Sequence, residues 1–157
     1  AAIGCVQIEK LPDIISKTHK IGEFIKLELR KKNSILSISD QPKGSKCVYW
    51  FIRLKIDLSK LSVNKQTFVN ALYAEGVPVS SEYRSTPYSQ PWYESSLKRS
   101  GMVADDQIRS LTRKDRYPNV ENALHNHINI FIRENYSDND VKSILSAIEK
   151  VENFYKI

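Results

Sequence analysis

Residues 47–56, Cys-Val-Tyr-Trp-Phe-Ile-Arg-Leu-Lys-Ile, constrain the fold more than any other stretch. The run is rich in β-branched and aromatic side chains and follows the turn chemistry of Gln41-Pro42-Lys43-Gly44, so it predicts a strand. Its apolar start, Cys47 to Ile52, calls for cover on both faces, whereas Arg53 and Lys55 predict one face opening to solvent further along. Such a strand cannot stand alone. The flanking segments must supply both its neighbours and its cover.

Leu11, Ile14, Ile15, Thr18, Gly22, Ile25 and Leu29 recur every three or four residues, one face of an amphipathic helix, with Lys17, Lys20, Lys26, Arg30 and Lys31 off that stripe. Proline is tolerated in a first turn but not mid-helix. The pattern therefore predicts a break between Lys10 and Pro12, with residues 1–10 ending an earlier helix. Ser34 to Ser39 predict a weak short strand. Asn64 caps a helix that carries Phe68, Val69 and Leu72 inward and stops at Gly76. Val77 to Ser80 read as a short strand that Pro78 places at a sheet edge or a strand start. Further helices are expected over Asp105 to Leu111 and from Pro118, with strand character resuming at Ile128 to Ile132. Ser137-Asp138-Asn139-Asp140 opens the last helix as a capping box, with Val141, Ile144, Leu145, Ile148, Val151 and Tyr155 as its buried stripe. The expected fold is α+β, a small, mostly antiparallel sheet packed with helices, in a single domain over residues 1–157.

A chain of 157 residues, 41% hydrophobic, can bury a core without disulfides or metals, which excludes disorder as a description of the whole. The longest apolar run, Cys47 to Ile52, falls far short of the roughly 20 residues that cross a bilayer, and no secretory signal opens the sequence. Cys5 and Cys47 sit inside apolar patterns, which fits reduced thiols and a cytoplasmic location. The opening Ala1-Ala2-Ile3-Gly4 is already helical, apolar sequence without Met and reads as a cut through something larger. The net charge of +6 comes wholly from residues 1–60, which hold 12 basic and 6 acidic side chains. A basic helix face could attract nucleic acid, phosphate-bearing metabolites or acidic proteins, but a merely solvated face is the favoured reading.

Tyr83-Arg84-Ser85-Thr86-Pro87-Tyr88-Ser89-Gln90-Pro91-Trp92-Tyr93 has no helix or strand period. Ordering these eleven residues costs on the order of 11–22 kcal/mol of backbone entropy. Burying its four rings returns about 15–25 kcal/mol. The two balance only if the rings are almost wholly covered. The segment is therefore expected to dock on another domain, subunit or ligand, the alternative being a self-packed surface loop.

Nothing assembles a catalytic or metal centre. His125 and His127 are two apart and would point to different faces of a helix, unlike an i, i+4 zinc pair. His19 stands alone among lysines, neither cysteine neighbours a histidine, and there is no Gly-rich phosphate loop. Asp105-Asp106 and Asp138/Asp140 look like helix-start acids.

Five motifs then follow one another along the whole chain: Ala1-Ala2-Ile3-Gly4-Cys5-Val6-Gln7-Ile8-Glu9-Lys10-Leu11; Ala74-Glu75-Gly76-Val77-Pro78-Val79-Ser80 with Tyr83; Pro87-Tyr88 with Pro91-Trp92; Pro118-Asn119-Val120-Glu121; and Ala147-Ile148-Glu149-Lys150-Val151. In that order they resemble A-A-I-G-x-x-Q-L-x-K-L, A-E-G-I-P-V-S-x-x-Y, P-L-Y with P-L-F, P-N-A-E and A-I-x-K-V of the DegT/DnrJ/EryC1/StrS aminotransferases. The chain departs from the pattern at Pro87-Tyr88, which lacks the intervening leucine, at Tyr117, where a cysteine often stands, and at Glu82, where glycine is common.

The resemblance implies the C-terminal domain of a fold-type-I aminotransferase dependent on pyridoxal phosphate, with residues 1–32 as interdomain helices. Such enzymes act on keto-sugars, commonly nucleotide-linked, or on cyclitols, usually with glutamate as amino donor, and are homodimers with the active site at the subunit interface. The cofactor would be bound mainly by an N-terminal domain that also supplies its lysine and the aspartate for the pyridine nitrogen, so this stretch alone should be inactive. Tyr83, Arg84, Tyr88 and Trp92 would be the substrate-side contacts, Arg84 pairing with a phosphate or carboxylate and the rings stacking on a base or sugar face. Two alternatives stay open: a sugar dehydratase of the same family using the amine form of the cofactor, and a stand-alone basic module for anions or nucleic acid, nucleic acid being the less favoured partner.

Overall fold

Period-two alternation along β2 (Phe51–Ile56) sends Ile52, Leu54 and Ile56 into the core and turns Arg53 and Lys55 outward. The computed structural model describes residues 2–82 and 86–157. It has two compact units, Ala1–Ser81 with His127–Ile157, and Glu82–Asn126. The first holds a four-stranded antiparallel sheet of order β1-β2-β4-β3, with β1 at Leu36–Ser37, β3 at Val79–Ser80 and β4 at His127–Phe131. Ile52 lies opposite Ile130 and Leu54 opposite Ile128, so the apolar rows of the two central strands stand side by side. Pro78 immediately precedes edge strand β3, as its missing N–H requires.

Three helices cover those rows. Ile25 and Leu29 of α1 (Ala2–Lys31), Phe68 and Leu72 of α2 (Lys65–Ala74), and Ile144 and Ile148 of α6 (Asp138–Tyr155) join the strand residues in one cluster. The caps are those expected. Asn64 accepts from the Thr67 N–H at 2.9 Å, Ser137 and Asp140 form a reciprocal capping box, and Gly76 takes the left-handed conformation after α2 with φ of 85°. The α+β architecture is therefore the one the sequence predicts.

Four local expectations change. Helix α1 runs unbroken through Pro12. The carbonyl Pro12 cannot pair belongs to Ile8, whose residue is 69% exposed, so water can take the bond that a buried turn would have lost. Lys26 is buried rather than on the solvated face, because its ammonium reaches Asp40 at 3.1 Å from the chain beyond β1. Strand pairing in 47–56 begins only at Phe51, since Tyr49 has φ of 48° and Cys47 to Tyr49 are held against α1 instead. Thr18 donates to the Val48 carbonyl at 2.8 Å, Tyr49 donates to Glu23 Oε1 at 2.6 Å, and the Tyr49 ring fills the notch that Gly22 leaves open. Finally, His125 and His127 do not share a helix: His125 ends α5 (Pro118–His125) and His127 opens β4.

Candidate functional site

Two prolines organise the second unit. Pro87 begins a 3-10 turn over Pro87–Ser89, and Pro91 begins α3 (Pro91–Ser100); α4 (Asp105–Leu111) and α5 follow. A fixed φ near −65° suits the first helical position, where the missing N–H has no partner to lose. Residues 87–93, read from the sequence as lacking regular structure, are thus largely helical. Tyr93, Ser96 and Leu97 are the half-buried residues of α3 and none is fully buried, a stripe too short for periodicity to reveal the helix.

Tyr88 sits in the 3-10 turn, half-buried. Its ring stacks on Tyr117 with centroids 4.4 Å apart and planes inclined by 14°. Its hydroxyl donates to Glu121 Oε1 at 2.7 Å. That carboxylate, together with desolvation, holds the Tyr88 phenol above its ordinary pKa, because loss of the proton would set two negative charges side by side. Tyr117 is fixed in turn by donating its own hydroxyl to the Leu111 carbonyl at 3.0 Å. Glu121 lies in the first turn of α5, where an acid is favoured by the helix dipole, and its N–H donates to the Tyr117 carbonyl at 3.0 Å.

Trp92, in the first turn of α3, is 56% exposed and meets Tyr93 edge to face at 6.0 Å. Tyr83 and Arg84 lie outside the described residues. Of the expected contacts, then, Tyr88 is built into a cluster and Trp92 faces solvent. Sequence reasoning missed the supporting pair, since Tyr117 stood out only as a departure and Glu121 only as part of Pro118-Asn119-Val120-Glu121. The available signal was their four-residue spacing across a proline helix start, which puts both on one side of the first turn.

Elsewhere the basic face of α1 is largely ion-paired. Lys17 meets Asp13 at 2.8 Å, Arg30 meets Asp40 at 2.6 Å and Lys31 meets Glu28 at 2.7 Å. Arg30 and Lys26 together hold the Asp40 carboxyl below its ordinary pKa. Cys5 is exposed and Cys47 half-buried, both as free thiols. Among the described residues no group of three His, Cys, Asp or Glu side chains could hold a metal, and no helix is long and apolar enough to cross a membrane.

The fold is shared with solved aminotransferases. The DegT/DnrJ/EryC1/StrS aminotransferase family matches residues 1–149, and the chain belongs to that family. TlmJ, an aminotransferase from Streptoalloteichus hindustanus, is 20% identical with a TM-score of 0.68 over 97% of this chain and 35% of its own. PseC of Helicobacter pylori, an aminotransferase involved in the biosynthesis of pseudoaminic acid, is 15% identical with a TM-score of 0.70, over 98% of this chain and 36% of its own. Spr1654 of Streptococcus pneumoniae, solved in a PMP-form, is 14% identical with a TM-score of 0.70, over 96% of this chain and 34% of its own. At such identities the likeness is one of fold. The chain spans about a third of the length of these structures. No curated protein matches it.

Aminotransferases of this family depend on pyridoxal phosphate. The lysine that holds this cofactor needs a desolvated, free amine. Lys26 is the buried lysine of the described residues, and its amine is engaged by Asp40. Among the described residues no lysine is both buried and free of an ion pair.

Proposed function

We propose that the chain is the C-terminal, substrate-side and dimer-forming part of an aminotransferase that moves an amino group from glutamate to a keto-sugar, often nucleotide-linked, or to a cyclitol. In this reading the cofactor lysine belongs to a preceding domain, the active site lies between two subunits, and residues 1–157 alone are inactive. One observation carries it: the family match runs over residues 1–149, while the chain spans about a third of the solved structures it matches. The engagement of Lys26 by Asp40 supports the separation of this chain from the cofactor lysine. Tyr83, Arg84, Tyr88 and Trp92 are the proposed substrate-side residues, with Tyr88 the one whose surroundings favour the role most.

The test is spectroscopic. The full-length protein is expected to carry a coenzyme absorbance band at the edge of the visible that glutamate bleaches to the amine form. Residues 1–157 alone should show neither the band nor turnover. A band indifferent to glutamate would remove the transaminase assignment.

A further inference from the structure

We propose that the groove between α1 and the start of α6 binds a medium-chain carboxylate, with its alkyl chain on Phe24 and Leu27 and its head group held by Lys20 and Lys142. The site lies in the sheet unit and does not depend on the aminotransferase reading. Helix α1 turns Ile21, Ile25 and Leu29 into the core, yet Phe24 and Leu27, three residues apart and off that stripe, are 40% and 52% exposed. Single exposed apolar residues are ordinary on a protein surface. These two are not single. With the buried Ile21 and Val141 they line a cavity of about 680 Å³, inside the roughly 300–1,000 Å³ range of small-molecule sites.

The polar lining selects the head group. Lys20 comes from α1 and Lys142 from α6. Lys17, Lys26, Arg30 and Lys31 of α1 each meet a carboxylate, whereas Lys20 and Lys142 have no ion pair among the described residues. Three further titratable groups line the groove: His19, Glu23 and Asp138. Glu23 Oε1 already accepts from the Tyr49 hydroxyl at 2.6 Å and the Gln41 amide at 3.0 Å, and His19 Nδ1 donates to the Cys47 carbonyl at 2.9 Å. What the lining lacks is an acceptor for its two ammonium groups. Glu23 and Asp138 still carry negative charge, so a dianionic phosphate gains little over a single carboxylate. Most of the affinity then comes from the chain, since exposed lysines contribute modestly.

The experiment is calorimetric titration of the full-length protein with hexanoate, octanoate and decanoate, below the concentration at which they form micelles. Each added methylene should tighten binding by about two- to fourfold. Decyltrimethylammonium should bind more weakly than decanoate, and decyl phosphate no more tightly. Lys20→Gln combined with Lys142→Gln should weaken decanoate by about fivefold, a loss that high salt shrinks. Leu27→Glu, at an exposed position that leaves the core intact, should weaken it by more than about tenfold by setting a charge against the chain. Thermal melts establish that the variants fold. Absence of saturable decanoate binding, affinity independent of chain length, equal binding of the cationic amphiphile, or binding that survives Leu27→Glu would each overturn the proposal. Co-sedimentation with anionic phospholipid vesicles, without binding of monomeric decanoate, would assign the surface to a membrane and overturn it too.

Discussion

In the first unit Phe68, Ile52, Leu54, Ile128 and Ile148 are less than 2% exposed; in the second, Ile108 is the one apolar residue buried to that degree among the described residues. The sheet unit is held by many distant apolar contacts. The helical unit relies instead on proline-started turns and on side-chain bonds within the unit such as Tyr88 to Glu121 and Tyr117 to the Leu111 carbonyl. Regions with few buried contacts open at lower free energy, and binding segments are drawn from them. The contrast teaches that the part of this chain with a substrate-facing candidate is also the part least able to hold itself by burial.

Removing Phe68 should give the largest effect. Phe68→Ala empties a fully buried site at the centre of α2 and should cost about 3–5 kcal/mol, read as a fall in the denaturant midpoint. A cost below ~1 kcal/mol would mean that the sheet unit is not one packed core. Ile108→Ala comes next, at about 2–4 kcal/mol. Its effect should stay local: amide-exchange protection falls in α3, α4 and α5 while β2 and β4 keep theirs. Equal loss in both would break the contrast by making the two units one cooperative body.

The sheet unit was legible in the sequence because its signals are periodic and strong. The alternation along Phe51 to Ile56, the stripe of α6 and the caps at Asn64 and Ser137 all work through local geometry that residue type alone specifies. The helical unit was less legible, since α3 fully buries no side chain and offers only Tyr93, Ser96 and Leu97 as a partly covered stripe. The ring-rich segment shows the mixture. Its need for cover was readable, and Tyr88 is covered in part from within the same unit by Tyr117, whereas Trp92 stays 56% exposed. Which ring meets which depends on residues some thirty positions apart, and nothing in the spacing reports that. The unbroken passage of α1 through Pro12 was hidden for a related reason, because proline in an exposed turn can surrender its bond to water.

Gly22 tests the sheet unit where α1 approaches the Tyr49 ring. A Cβ there would run into the Tyr49 ring, so Gly22→Ala should cost about 1–3 kcal/mol by overpacking, despite the better helix propensity of alanine. Paired with Tyr49→Leu, which vacates the notch, much of that cost should return, and a thermal melt of the double variant measures it. A neutral Gly22→Ala would mean that the segment 47–49 lifts from α1 without penalty.

Glu152 provides the smallest effect and one whose sign can be argued. It lies on the inner face of α6, is buried, and receives the hydroxyl of Ser34. Burial raises its pKa from the ordinary 4.5, outweighing the bonds that lower it. A carboxyl with a raised folded-state pKa binds its proton more tightly in the folded chain, so its neutral form is the stabilising one. That contribution is present below the unfolded value and is lost as pH climbs through the folded one. Glu152→Gln keeps an acceptor for Ser34 and removes the charge, so its Tm at pH 7 should exceed the wild type by ~1–3 °C and the gap should close in acid. No counterpart is expected in the helical unit, where Asp115 is exposed and its carboxyl is held below the ordinary range by Arg113, giving the opposite pH slope. If Glu152→Gln instead melts lower at pH 7, the Ser34 bond to a charged carboxylate outweighs the burial, and the buried face of α6 is more polar in its energetics than its row of Val141, Ile144 and Ile148 implies.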